Sequence, residues 1–235
     1  KKILIPEEDK KFYTEKIIYL PDKIVPIDDT IKVSYEKFSK EDLGLPIDGF
    51  VFTCFNRIEK ITRKEFNIWM RLLKKINKSV LWLVKPHKVA IQNLYSELNK
   101  HSIDKKRIIF ADIVSLNDHL SRHIYGDLFL DTFNYNAGTT GSLSLWAGLP
   151  IITLAGKTIA SRTSASYLHA CNLNELITYN EDDYESLAYE LAKNKEKILR
   201  VRNKLDKNKS LCFDSCKYTI ELEKIYTDIN SDVKF

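Results

Sequence analysis

Long apolar runs are missing from this chain: the longest purely apolar stretch, Val80 to Val84, is far too short to cross a bilayer. The opening Lys1-Lys2-Ile3-Leu4-Ile5 lacks the apolar core of a signal peptide. Neither a membrane partner nor export is expected, and the chain reads as cytoplasmic. Methionine is nearly absent as well. Met70 is the only one, inside a helical pattern, and the first residue is Lys1, which suggests an excised domain or part of a longer protein. Cysteine is scarce: of Cys54, Cys171, Cys212 and Cys216 only the last two are close, with no histidine or second cysteine pair beside them. No metal is expected, and Cys212 and Cys216 read as reduced thiols on a terminal helix.

Two nucleotide signatures are also lacking. A G-x-G-x-x-G fingerprint is absent, which argues against an NAD-dependent oxidoreductase. Gly156-Lys157-Thr158 has Ile151 where a P-loop requires its first glycine, so the phosphate cradle of that motif cannot form. The net charge of +5 comes from scattered lysines with acidic neighbours, not from a basic stripe interleaved with aromatics. Nucleic acid is therefore not an expected partner.

What remains is an ordinary globular composition, 44% hydrophobic and 29% charged over 235 residues, enough for one sizeable core. From Phe50 onward, short β-rich runs alternate with helical patterns, the mark of βαβ units and a parallel sheet. Strands are expected at 50–54, 79–84, 107–111, 127–131 and 150–154. Phe66, Trp69, Met70, Leu73 and Ile76 follow the i, i+3, i+4, i+7 spacing of a buried helix face. Similar faces are Tyr184, Leu187, Ala188 and Leu191, and then Leu222, Ile225, Tyr226 and Ile229. The fold class is α/β, a doubly wound and mostly parallel Rossmann-like sheet with extra C-terminal helices. Residues 1–48, with prolines at Pro6, Pro21, Pro26 and Pro46, read as an extended connector; 49–210 form the main domain and 211–235 a C-terminal helix.

Three loops fall on the strand C-terminal edge, where open α/β sheets bind ligands. Gly138-Thr139-Thr140-Gly141 follows the strand ending at Asp131 and opens a helix. Its free amides suit a phosphate, though Thr139 or Thr140 acting as a plain helix cap fits nearly as well. Cys54-Phe55-Asn56-Arg57-Ile58-Glu59-Lys60 carries two cations that either neutralise a diphosphate or are simply solvated. Val114 to Arg122 starts a third helix on which His119 and Arg122, three apart, share a face able to meet a base or ribose, or form a surface pair.

With these segments in this order, the chain resembles the C-terminal half of the catalytic region of O-linked N-acetylglucosamine transferases, a family that includes the plant SPINDLY proteins and bacterial relatives. The likeness runs from about Phe12 to about Tyr226. It includes Leu20-Pro21, Gly44-Leu45-Pro46, Cys54-Phe55-Asn56 with Lys60-Ile61, and Ile68 to Lys74. It continues through Ser79 to Leu83, Asp127 to Thr132, Leu145 to Pro150, Ala160-Ser161-Arg162 and Tyr218 to Glu223.

The resemblance implies one half of a two-domain GT-B glycosyltransferase that moves N-acetylglucosamine from UDP to Ser or Thr of proteins, with inversion and without metal or other cofactor. It implies that Lys60 supports departure of UDP, and that Asn56 and Arg57 lie near the diphosphate. Gly138, Thr139, Thr140 and Gly141 would hold the phosphates, while Val114, His119 and Arg122 frame uracil and its ribose. The partners implied are a nucleotide sugar and a protein acceptor held by a preceding catalytic domain and helical repeats. Three positions depart from the family pattern: Gly138 replaces a histidine, Leu143 an acidic residue, and Arg57 a glutamine or asparagine. They leave the donor open, since SPINDLY relatives use GDP-fucose. The competing readings are a nucleotide-sugar-binding module without transferase activity and a sugar-nucleotide epimerase on the same plan.

Overall fold

The computed structural model describes residues 3–20, 27–34 and 37–232. Pro21 and Pro26 of the expected connector lie outside the described residues. Six strands, β1 Val51–Cys54, β2 Val80–Val84, β3 Ile108–Ala111, β4 Leu128–Leu130, β5 Ile151–Leu154 and β6 Ile177–Thr178, form one sheet in the order β3-β2-β1-β4-β5-β6. Every neighbouring pair is parallel, with registers such as Thr53 beside Trp82 and Phe129 beside Ile151. The central strands are buried on both faces, which is why β1, β2 and β4 are nearly continuous apolar runs without alternation.

Among the described residues eight α-helices surround the sheet: α1 Arg63–Lys75, α2 Lys88–Lys100, α3 Leu116–Arg122, α4 Thr139–Trp146, α5 Thr163–Ala170, α6 Glu181–Lys193, α7 Lys195–Cys212 and α8 Ser215–Asp232. α1 begins immediately after Lys60 because Thr62 and Glu65 cap it reciprocally, the Glu65 carboxylate accepting from the Thr62 amide at 2.8 Å. Phe66, Trp69, Met70, Leu73 and Ile76 are all buried, as their spacing requires. α1 packs against α6, where Trp69 Nε1 donates to the Tyr184 hydroxyl at 3.4 Å. α4, α5 and α7 form a second group. Two residues after α4 ends at Trp146 stands Gly148, whose φ of +84° reverses the chain into β5.

The five expected strands are present, each trimmed by one or two residues at its ends. β6, α2, α5 and α7 have no counterpart in the periodicity reading. On α8 the expected buried face is not buried: Tyr226 is 62% and Ile229 41% exposed. Periodicity reports an amphipathic helix, and among the described residues its stripe is covered only in part, Leu222 and Ile225 being half-buried. The thiol expectation is also corrected, because Cys212 at the end of α7 is paired with Cys171 at the end of α5. Cys54 is a buried free thiol and Cys216 an exposed one.

The segment before β1 contains one short 3-10 helix, Glu7–Phe12, and no strand among its described residues. It lies across the domain. Asp29 accepts from the amide and hydroxyl of Ser215 at the start of α8, Trp146 donates to the Ile31 carbonyl, and Tyr125 donates to that of Phe38.

Candidate nucleotide-binding site at the switch point

In this strand order the connections after β1 and β4, which are neighbours, run to opposite sides of the sheet, so the loops leaving their C-terminal ends diverge and open a crevice. Asp131, fully buried at the end of β4, organises that crevice. Its carboxylate accepts from the Thr132 amide at 2.9 Å, the Ala137 amide at 2.8 Å and the Thr153 hydroxyl at 2.7 Å. Asn56, from the β1 loop, donates to it at 3.3 Å and to the Thr132 hydroxyl at 2.8 Å. Burial raises the Asp131 pKa to about 6 against these hydrogen bonds, which favour the ionised form. The clamp folds 132–137 into a tight loop that delivers Gly138 to the start of α4. Asn136 closes it by donating to the Thr132 carbonyl at 2.7 Å.

The start of α4 carries no side-chain cap. Gly138 is the N-cap, and the first amides to find an acceptor are those of Gly141 and Ser142, both on the Gly138 carbonyl. The capping alternative for Thr139 and Thr140 is thereby removed, because neither side chain caps the helix and their amides stay open. A Cβ built on Gly138 meets no atom within 4 Å, so the space beside this helix start is free.

Lys60 reaches the same place from the other loop. Its ammonium donates to the Asn136 carbonyl at 3.1 Å, two residues before Gly138, and sits 3.8 Å from the centre of the Tyr135 ring. Partial burial lowers its pKa, and the Asp131 carboxylate pulls it back up. Arg57 is not gathered in. Its side chain is 86% exposed, and its ion-pair partner among the described residues is Glu59, at 3.6 Å.

The third segment differs from its expected form. Arg122 is only 4% exposed and turns inward instead of sharing a ligand face with His119. It donates to His119 Nδ1 from Nε at 3.1 Å and to the Asp112 carbonyl at 2.6 Å, and its guanidinium lies 5.0 Å from the Phe55 ring centre. Arginine only donates, so His119 Nδ1 is the acceptor and the ring proton resides on Nε2. Burial, reinforced by the Arg122 charge, lowers the His119 pKa to about 4, which keeps the imidazole neutral at ordinary pH. Burial likewise lowers Arg122 to about 10. Val114 is exposed just before α3.

The loops after β1 and β4 thus meet through Asn56, Asp131 and the Lys60–Asn136 contact, and His119 joins them through Phe55, 5.2 Å ring to ring. Asp131, Tyr135 and Asn136 were not singled out from the sequence. The strand-final position of Asp131 was legible, but its role as a hub depends on Asn56 and Thr153 arriving from other strands. A surface groove of about 830 Å³ lies elsewhere, beside Arg71, Lys75 and Glu185 on the α1 and α6 flank. Both cations there are engaged by Glu185, so size alone does not make it an anion site.

Residues 26–222 match the family model described as Glycosyl transferase family 41. The probable UDP-N-acetylglucosamine--peptide N-acetylglucosaminyltransferase SEC of Arabidopsis thaliana is 31% identical over 94% of this chain and 23% of its own length. The corresponding SPINDLY protein of Petunia hybrida is 30% identical over 94% of this chain and 24% of its own. A solved lysine-to-methionine mutant of the Thermobaculum terrenum O-GlcNAc transferase superposes with a TM-score of 0.79 at 26% identity. It covers 95% of this chain and 43% of its own. The chain therefore spans about a quarter of those plant relatives.

Proposed function

The chain belongs to glycosyl transferase family 41, and we propose that it is the donor-binding half of an enzyme that transfers N-acetylglucosamine from UDP to Ser or Thr of proteins with inversion. One juxtaposition carries this reading: the uncapped start of α4 and the Lys60 ammonium converge at the switch point of the sheet. Open amides and a lysine together suit a diphosphate, and they matter most as the sugar bond breaks and negative charge grows on the leaving group.

In this reading the Thr139 and Thr140 amides hold the phosphates, with Gly138 and Gly141 leaving room for close approach. Lys60 exchanges the Asn136 carbonyl for a phosphate oxygen. Asn56 shapes the crevice through Asp131 and Thr132, and Arg57 adds charge from solvent. Val114 and His119 meet base and ribose, His119 as a neutral Nε2 donor, while Arg122 acts from behind by fixing the ring. Positive charge from Lys60 and the helix start takes the place of a metal, so no cofactor is invoked. The protein acceptor would bind through a preceding catalytic domain and helical repeats.

No helix among the described residues is long and apolar enough to cross a membrane. A cytoplasmic location completes the reading, and the Cys171–Cys212 pair gives it a check, since cytosolic chains normally keep such thiols reduced. Family membership favours a transferase over a binding module or an epimerase.

Calorimetry with UDP, GDP and uridine tests the site. UDP should bind at least about tenfold more tightly than uridine. Equal affinity for UDP and uridine would remove the phosphate site, and preference for GDP would reassign the donor.

A further inference from the structure

His123 has no role in that reading, yet both of its ring nitrogens are engaged at the site. It is fully buried in the helical turn His123–Tyr125 that ends α3. Its ring packs edge-on against Phe55, centres 5.0 Å apart, and against His119 at 4.5 Å. Nδ1 faces the His119 carbonyl, and Nε2 lies 3.1 Å from the Ser144 hydroxyl. Ser144 in turn donates to the Thr140 carbonyl at 2.8 Å. Among the described residues this is the only side-chain hydrogen-bond path between α3 with its terminal turn and α4.

The proton placement follows from the partners. The His119 carbonyl only accepts, so Nδ1 carries the hydrogen, and burial keeps the ring neutral. Nε2 is then bare and accepts from Ser144 when the hydroxyl proton turns from the Thr140 carbonyl toward the ring. The single Ser144 proton serves one acceptor at a time, His123 Nε2 or the Thr140 carbonyl, and the hydroxyl lies within hydrogen-bond distance of both. A buried imidazole is costly unless paired, and here both pairings tie the segment that meets the base to the helix turn that meets the diphosphate.

Resting on the donor-site reading above, we propose that His123 and Ser144 are positioning residues that fix the distance between the base segment at His119 and the phosphate segment at Thr139 and Thr140. A nucleoside diphosphate engages both segments at once, and its second end binds at high effective concentration only when the two are held at the matching separation. Weakening the link should therefore cost the joined ligand more than either half.

The test compares UDP, uridine and pyrophosphate binding to the 235-residue chain, by NMR titration, for wild type, Ser144→Ala, Ser144→Thr and His123→Phe. Ser144→Ala is expected to weaken UDP about five- to tenfold, with uridine and pyrophosphate each changed less than about twofold. Ser144→Thr, which keeps the hydroxyl, should restore UDP affinity. His123→Phe retains the ring packing and should repeat the Ser144→Ala pattern; if it does not fold, the serine pair decides alone. Equal weakening of all three ligands, or none, overturns the proposal. Wild type that fails to prefer UDP over uridine overturns the donor-site reading itself and this proposal with it.

Discussion

Lys60 holds its ammonium 3.8 Å from the centre of the Tyr135 ring while donating to the carbonyl of the next residue, Asn136, at 3.1 Å. An aromatic face and a carbonyl both stabilise a cation without neutralising it. The charge is therefore kept at the site without a carboxylate partner that a phosphate would have to displace. The consequence is kinetic. In the complete enzyme, Lys60→Ala should lower turnover by about a hundredfold and donor affinity by less than about tenfold, because the charge matters most in the transition state. Tyr135→Phe keeps the ring face and should leave both within about twofold. A Lys60→Ala effect confined to the Michaelis constant would make it a ground-state contact.

Asp131 gives a pH dependence whose sign can be worked out. Its folded pKa of about 6 lies above the ordinary value of 3.8, so between those values the folded state holds a proton that the unfolded chain has released. The stability it contributes is fully present below about pH 4 and is lost as pH rises through 6, on the order of 3 kcal/mol. Urea unfolding of wild type and Asp131→Asn from pH 4 to 7 checks it. The difference in stability between the two proteins should move against wild type as pH rises. A flat difference would mean that Asp131 is ionised throughout.

The fold was legible in the sequence for a physical reason, and so was the limit. Strands buried on both faces print as short apolar runs, and β1 to β5 were found that way. β6 has two residues and prints no pattern. The loops of the site were placed by their position after strands, which is a local property. The orientation of Arg122 is not: i and i+3 residues share a helix face, and only the tertiary contacts with Asp112 and Phe55 send one of them inward. α8 shows the converse, a legible stripe that the described residues cover only in part.

His119 should stay neutral across the range in which histidine normally titrates. Burial is the first cause of its low pKa, about 4, and the Arg122 charge the second. Its folded pKa is depressed below the ordinary 6.5, so the stability it contributes is present above pH 6.5 and is lost as pH falls toward 4. In an NMR titration the ring should show no midpoint between pH 5 and 8. Arg122→Gln should raise the midpoint part of the way, because burial remains. A wild-type midpoint near 6.5 would show that the ring is solvated and that Arg122 does not set its tautomer.

The Cys171–Cys212 pair closes a loop with a sequence separation of 41. Purified without reductant and denatured, the chain should expose two titratable thiols, those of Cys54 and Cys216. Reduction should cost about 4 kcal/mol of stability on a loop-entropy argument. Four free thiols in protein isolated from cytosol under rapid alkylation would support the cytoplasmic reading and place the bond after lysis.

This chain, made alone, is expected to bind a nucleotide and transfer no sugar to protein. Inverting transfer needs a proton acceptor near the attacking hydroxyl and a surface that holds that hydroxyl in line with the donor carbon, and orientation supplies a large share of the rate. The titratable groups at the crevice are otherwise engaged. Asp131 is buried beneath the loop with its oxygens occupied by Thr132, Ala137 and Thr153. His119 faces Arg122, and His123 is enclosed between Phe55 and Ser144. Lys60 carries the charge that a leaving diphosphate needs and cannot also serve as the base. The decisive assay incubates the chain with labelled UDP-N-acetylglucosamine and a Ser/Thr-rich peptide, with and without the preceding half of a family 41 catalytic region added in trans. Label should appear only in the combined reaction. Robust labelling by the chain alone would mean that an acceptor site and its base lie within these 235 residues, with the exposed face around Tyr135 the first place to look for them.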